Sequence, residues 1–400
     1  MDRPVVTSWG RALLGLGSLG LALAAGIDAT ANRWRAIDPD RALQVRPGDA
    51  VALTLNEDQR QADQEMSPAR TAAIAEVARR ALRSDPLTAP ALRQIAVAEG
   101  VAGRHRAADR LVHLSYDLTR RELGTSWLLI EAALDRGDAA GVARHFDEAL
   151  TTTPLAGEVM YPALSAALFD PGMRAALVPY VRQSRRWMPA LMRYALAGGD
   201  AGEHVGALVV SAGGLPSSPI YAGLDQQILT GIAAKGEFGI AGGYLRNMRA
   251  GGIATDPGFS AATTDARFGP FAWAFADEQA VSGRRDEAGR LQVRVSTARP
   301  LKVAVRTLVL PAGRYRFSQK VEAPDDDVVA AAKWEMECLP GNRPAWSLEL
   351  PVRKASSHYA GQFAIPADCP GQQLSLVVAG RGDEEDAEIV VDGLELTRQN

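Results

Sequence analysis

Only two cysteines occur in the 400 residues, Cys338 and Cys369, both in the last quarter of the chain. That excludes, as written, a zinc site built from four cysteines or from a Cys-x-x-Cys pair. An excess of one charge is also missing. The 44 basic residues face 47 acidic ones, a formal net charge of -3, whereas nucleic-acid binding needs a concentrated basic surface. No GxSxG elbow or other recognisable catalytic constellation stands out, and the five histidines form no visible dyad. His105, His113 and His145 have neither HExxH spacing nor a cysteine nearby, so no metal or cofactor is implied. The expectation is a chain that does not catalyse, the alternative being a glycan-active enzyme with paired acids in a cleft.

What is present is a 47% hydrophobic, 23% charged composition, ordinary for globular domains and long enough here for two or more of them. The first 35 residues stand apart. From Ala12 to Ile27 the chain carries no charge, with Arg3 and Arg11 before it and Asp28, Arg33 and Arg35 after it. The length falls between a signal-peptide core and a spanning helix. Ala22-Leu23-Ala24 and Ala29-Thr30-Ala31 offer cleavage sites, while Trp9 and Trp34 bracket the run as interfacial aromatics do. The expectation is a retained anchor in a bacterial inner membrane with a periplasmic body, the alternative being secretion after cleavage. Gly15-Leu16-Gly17-Ser18-Leu19-Gly20 matches GxGxxG, but without a βαβ unit around it the glycines read as helix-packing positions.

From about residue 40 to 255 the text is helical. Ser67-Pro68 supplies a cap and a first-turn proline, and Ile74, Val77, Ala78, Ala81 and Leu82 recur with a 3.6 period. Ala81-Leu82-Arg83-Ser84-Asp85-Pro86 returns as Ala149-Leu150-Thr151-Thr152-Thr153-Pro154, 68 residues later, two steps of 34. Gly103 and Gly137 are one such step apart and mark turns between paired helices. Val142, Phe146, Ala149 and Pro154 resemble the closing pattern of the tetratricopeptide repeat family, although its Trp and Tyr are missing and Arg120 stands where a proline belongs. The resemblance covers residues 50 to 155. It implies a stacked array whose concave face takes a protein partner, with Leu92, Glu99, Ser126 and Ala133 on the candidate partner-binding helices. Trp127 and Trp187 fit core positions and Arg185 and Arg186 a solvated face. After Pro154 the period fades, and the later helices read as degenerate repeats.

Near Phe268 the period changes to two. Leu291-x-Val293-x-Val295, Tyr315-x-Phe317, Trp334-x-Met336-x-Cys338 and Ile389-x-Val391 alternate as half-buried strands between turns such as Pro340-Gly341-Asn342 and Asp392-Gly393. Residues 265–400 therefore form an antiparallel β-sandwich of jelly-roll type. At the level of pattern this half resembles carbohydrate-binding modules. That resemblance makes exposed aromatic platforms the candidates for glycan contact, here Trp346 and Tyr359, whereas Trp273 and Trp334 share the apolar phase of their strands. Cys338 and Cys369 are expected to be bonded if the body is exported and free if it is cytoplasmic. The runs 325–327 and 383–386 are solvated acidic loops, with calcium the alternative.

The whole reads as a helical anchor, a tetratricopeptide-like solenoid and a sandwich. The expected role is a scaffold for proteins of an envelope complex, by analogy in surface polysaccharide assembly or export. The alternative is a glycan-binding protein acting through its sandwich.

Overall fold

A computed structural model describes residues 8–61, 67–323, 329–350, 357–381 and 387–399. The acidic runs at 325–327 and 383–386 lie outside them. The chain divides into two compact units, Met1–Ala156 and Gly157–Asn400.

The described residues of the first unit are helices joined by short connections. A leading helix α1 (Ser8–Trp34) and a short α2 (Pro39–Val45) precede α3 (Ala50–Gln61) and α4 (Pro68–Ser84). Then come α5 (Ala89–Val101), α6 (His105–Leu118), α7 (Leu123–Asp135) and α8 (Ala139–Thr152). Each of α3–α4, α5–α6 and α7–α8 packs as a pair. Gly103 and Gly137 adopt φ of +76° and +68° in the two glycine turns, where a side chain is disfavoured. The turns stop their helices identically: Arg104 N donates to Glu99 O at 2.8 Å and Asp138 N to Ala133 O at 2.9 Å, a Schellman-type closure.

The 34-residue step is structural. Ala81, Ser115 and Ala149 occupy equivalent places and are all fully buried, and each accepts from the residue four later, Asp85, Thr119 and Thr153. Near two of these ends a hydroxyl reaches back to an earlier turn: Ser84 Oγ donates to Gly48 O at 2.6 Å and Thr152 Oγ1 to Arg120 O at 3.0 Å. Ser115 Oγ instead donates to Ala89 O at 2.9 Å. Across the pairs, Arg93 of α5 bridges Asp58 of α3 (2.5 Å) and Glu122, the cap of α7 (3.2 Å). Burial pulls the Arg93 guanidinium down, but the two carboxylates outweigh it and the net direction is up.

One expectation is corrected here. Among the described residues no helix is long and apolar enough to cross a membrane. The uncharged stretch of α1 is closed off by Arg11 and Asp28 and rises roughly 24 Å as a helix, short of the ~30 Å hydrocarbon core. Its many glycines and alanines add little apolar surface. The end of α1 is instead tied to its own unit, Asp28 to Arg46 and Arg35 to Asp49 at 2.7 Å. The inner-membrane pass, and the periplasmic placement that depended on it, are withdrawn. The GxGxxG match lies within α1.

Further helices follow into the second unit, α9 (Ala156–Ala167), α10 (Pro171–Arg182), α11 (Met188–Ala197), α12 (Gly202–Ala212), α13 (Leu224–Ala234) and α14 (Phe238–Asn247), with α10 packed on α12 and α13 on α12 and α14. Among the described residues eleven strands follow: β1 (Ala274–Phe275), β2 (Asp277–Glu278), β3 (Val281–Arg285), β4 (Leu291–Val295), β5 (Leu301–Leu308), β6 (Gly313–Glu322), β7 (Val329–Leu339), β8 (Arg343–Leu350), β9 (Ser357–Ile365), β10 (Gly371–Gly380) and β11 (Ala387–Gln399). They form two antiparallel sheets, of order β1-β5-β10-β7-β8 and β2-β3-β4-β11-β6-β9. The inward positions interlock into one apolar core around Trp334, Phe317, Leu374 and Ile389. Trp334 is fully buried, and its indole donates to Gln319 Oε1 at 2.7 Å. Cys338 and Cys369 are disulfide-bonded.

The helical part of this unit clamps the five-stranded sheet. Gly371 lies so close to Phe238 of α14 that a Cβ there would meet the ring at 2.6 Å. Arg306 of β5 is buried and donates to Asp256 O at 2.6 Å and to Ile253 O. Burial pushes its guanidinium down to about 10, with Asp256 opposing.

Candidate functional site

On the six-stranded sheet the alternate residues that do not enter the core point outward, as the period of two requires. The register then aligns them in rows. Asp277 of β2 faces Ser282 of β3, Ser282 faces Arg294 of β4, and Arg294 faces Glu388 of β11. Beside this row, Arg284 faces Gln292, Gln292 faces Val390 and Val390 faces Glu322 of β6. Four strands at ~4.8 Å spacing make each row about 14 Å across. All of these but Glu322 line a cleft of about 430 Å³, its polar walls Asp277, Ser282, Arg284, Gln292, Arg294 and Glu388.

The turn from β3 to β4 makes part of this surface rigid. Asp286 and Arg290 close the turn with paired backbone and side-chain bonds: Asp286 N donates to Arg290 O at 2.9 Å, and Arg290 N and Nε donate to the Asp286 carboxylate at 2.8 Å each. Those contacts, the Arg290 amide foremost, hold the Asp286 carboxyl below its usual range. The same carboxylate takes Gln292 Nε2 at 3.5 Å, and Arg284 Nε donates to Gln292 Oε1 at 2.9 Å. Gly289, at φ +82°, lets the turn close. The cleft thus presents guanidinium, amide and carboxylate groups side by side on the sheet face, a donor and acceptor set suited to a hydroxyl-rich ligand.

The aromatic candidates sit elsewhere. Trp346 of β8 is half-buried, its ring 5.0 Å from Phe317 and 4.9 Å from Phe363. Gly361 makes room for it: a Cβ there would lie 3.1 Å from the indole. Tyr359 of β9 is likewise partly buried against the sandwich core. Neither lines the cleft. In the first unit Leu92, Ser126 and Ala133 are buried among the helices, and Glu99 is paired with Arg104. Trp127 packs edge-on against Phe146 at 5.8 Å, and Trp187 is buried. Arg284, Gln292, Arg294 and Glu388 were absent from the sequence candidates. Their only signal was polarity at the outward phase of a strand, which most solvated strands share.

The class these features define is a protein of helical hairpins joined to an antiparallel β-sandwich. No family model matches the chain, and no curated protein matches it either. Among solved structures, several that it resembles in part are carbohydrate-binding modules. It is similar to TmCBM61, solved in complex with β-1,4-galactotriose (15% identity, 36% of this chain and 99% of that one, TM-score 0.25). It is also similar to the N-terminal cellulose-binding domain of Cellulomonas fimi β-1,4-glucanase C (15% identity, 33% and 91%, TM-score 0.24). A family 16 carbohydrate-binding module is a third (12% identity, 31% and 90%, TM-score 0.23). Likenesses this faint leave the ligand to be argued from the chain's own geometry.

Proposed function

We propose that this chain is a non-catalytic carbohydrate-binding protein whose ligand lies in the cleft on the six-stranded sheet. The observation that carries the reading is the pair of adjacent outward rows, polar apart from Val390 and ordered through Arg284, Gln292 and Asp286 on the six-stranded sheet. In this reading the ligand is held edge-on by hydrogen bonds rather than stacked on an aromatic platform. The disulfide fits an oxidising compartment, where glycans and their binding proteins meet. The scaffold reading, a tetratricopeptide-like array that takes a protein partner, rests on the helix pairs of the first unit and is pursued below.

The test is a titration of the full chain against an array of neutral and acidic oligosaccharides, repeated with Arg284→Ala and Gln292→Ala. Binding that weakens about tenfold, near 1.4 kcal/mol, with the unfolding midpoint retained, is expected. Saturable binding that both variants leave untouched moves the site off this cleft.

A further inference from the structure

The first unit carries a second concavity, unrelated to the sandwich. Between α6 and α8, over α7, runs a groove of about 410 Å³. Its floor is apolar, with Val112 from α6 and Leu128 and Ala132 from α7. Arg136 and Arg144 line it, joined by His113, and Asp109 is the one carboxylate in the lining.

The two arginines are chemically spare. Most cations of this unit that lie near a carboxylate are committed: Arg35 to Asp49, Arg93 to Asp58 and Glu122, Arg104 to Glu99. Arg136 and Arg144 make no ion pair or hydrogen bond among the described residues. The nearby Glu148 is already engaged, lying 3.1 Å from His145 Nδ1. It also contributes to pushing the Tyr116 phenol up, after burial. His145 and Tyr116 in turn hold each other edge-on at 6.1 Å. One wall of the groove is thus fixed in place, while the guanidinium groups beside the apolar floor are left for something from outside.

The source of that charge is structural. Arg136 is the C-cap of α7, where a cation complements the free carbonyls of the helix end, and Arg144 rises from α8, the other wall. The helix pairs place α6 and α8 one 34-residue step apart with α7 between them, so the repeat itself opens the groove. Leu92, Ser126 and Ala133 are spent on packing, and this face is the one on which apolar and charged groups stand together.

We infer that the α6–α7–α8 groove is a docking site for an acidic peptide segment of a partner protein, an apolar side chain entering over Leu128 and Ala132 and its carboxylates meeting Arg136 and Arg144. Charge complementarity selects the occupant: two guanidinium groups beside an apolar floor favour carboxylates alternating with leucine-like side chains, and guanidinium takes a carboxylate in a bidentate fork. The inference stands apart from the carbohydrate reading, since no residue of the sandwich enters it.

The experiment uses the full chain and a fluorescein-labelled decapeptide alternating leucine with glutamate, followed by fluorescence anisotropy, with the leucine–lysine counterpart as control. The acidic peptide is expected to bind saturably and the basic one not. R136E/R144E is expected to weaken binding about tenfold, and A132W to do the same by filling the floor. Because the arginines are exposed, helical circular dichroism should be unchanged in the first variant. A further check needs no variant: affinity for the wild-type chain should fall several-fold between 50 and 500 mM salt, as the Debye length shrinks to roughly 4 Å. The inference is overturned by failure of the acidic peptide to bind, by equal binding of the two peptides, or by indifference to R136E/R144E or to salt. Phosphatidylglycerol vesicles that displace the peptide overturn it too, as does self-association that R136E/R144E abolishes in the absence of peptide.

Discussion

The helix pairs of the first unit and the sandwich of the second are held together in opposite ways. In the helices, contacts join residues within a step or so of 34, and the recurring devices are small: a buried alanine or serine, a left-handed glycine, a hydroxyl reaching back about one repeat. The main tie across pairs is ionic, Arg93 between Asp58 and Glu122. In the sandwich the contacts join residues far apart in sequence, the core is aromatic and aliphatic, and the tie is covalent, Cys338 to Cys369. A repeat distributes stability among many weak, similar interactions, whereas a sandwich concentrates it in one core that no single strand can form.

That contrast can be broken most forcefully at Trp334. Truncating this fully buried side chain to alanine should cost the second unit about 3–5 kcal/mol, read as a lowered urea midpoint of tryptophan fluorescence, while far-ultraviolet circular dichroism of the first unit's helices persists. Loss of both signals together would show the two units to be energetically one. Next comes the disulfide. With a sequence separation of 31, reduction should remove roughly 3–4 kcal/mol and lower the same midpoint; an unchanged midpoint under reductant would take the covalent tie out of the account.

Arg93→Met tests the ionic tie on the other side of the comparison. Methionine fills similar space but strands Asp58 and Glu122, with side chains 31% and 11% exposed. A cost near 2 kcal/mol is expected after discounting for solvent at Asp58, and a neutral result would make the pairing ornamental. The smallest effect is at Asp49. Burial pushes its carboxyl up, but the Arg35 hydrogen bonds and the Ala52 amide outweigh this, so it titrates below its usual range. A carboxyl depressed in the folded state stabilises above its unfolded value of about 4 and loses that contribution as pH falls further. Between pH 7 and pH 3 the helical midpoint should therefore drop less in Asp49→Asn than in the parent chain.

The comparison also explains what could be read from sequence. The 34-residue step was visible at Ala81–Pro86 and Ala149–Pro154 because a local repeat writes itself into spacing. Gly103 and Gly137 announced their turns for the same reason. Strand alternation and the cysteine pair likewise exposed the sandwich. Packing between distant residues left no such trace: nothing near Arg306 signals that its guanidinium will bind the carbonyls of Ile253 and Asp256, and nothing near Gly371 signals Phe238. The cleft was hidden for that reason, since Ser282, Gln292 and Glu388 become neighbours only through strand register. Trp346 and Tyr359 drew attention through polar neighbours in sequence, yet β8 and β9 turn them toward Phe317, Phe363 and the core. The amino-terminal run misled because composition alone conceals how Asp28 and Arg35 are tied into the helices that follow.

The central claim is that the sandwich binds carbohydrate through the polar rows on its six-stranded sheet. It is tested most directly by titrating the best oligosaccharide of an array into the full chain and into Gln292→Ala, with the unfolding midpoint of each recorded. The account predicts saturable binding by the parent and about a tenfold loss in the variant at an unchanged midpoint. Equal affinity in the two proteins, or no oligosaccharide bound by the parent, would contradict it.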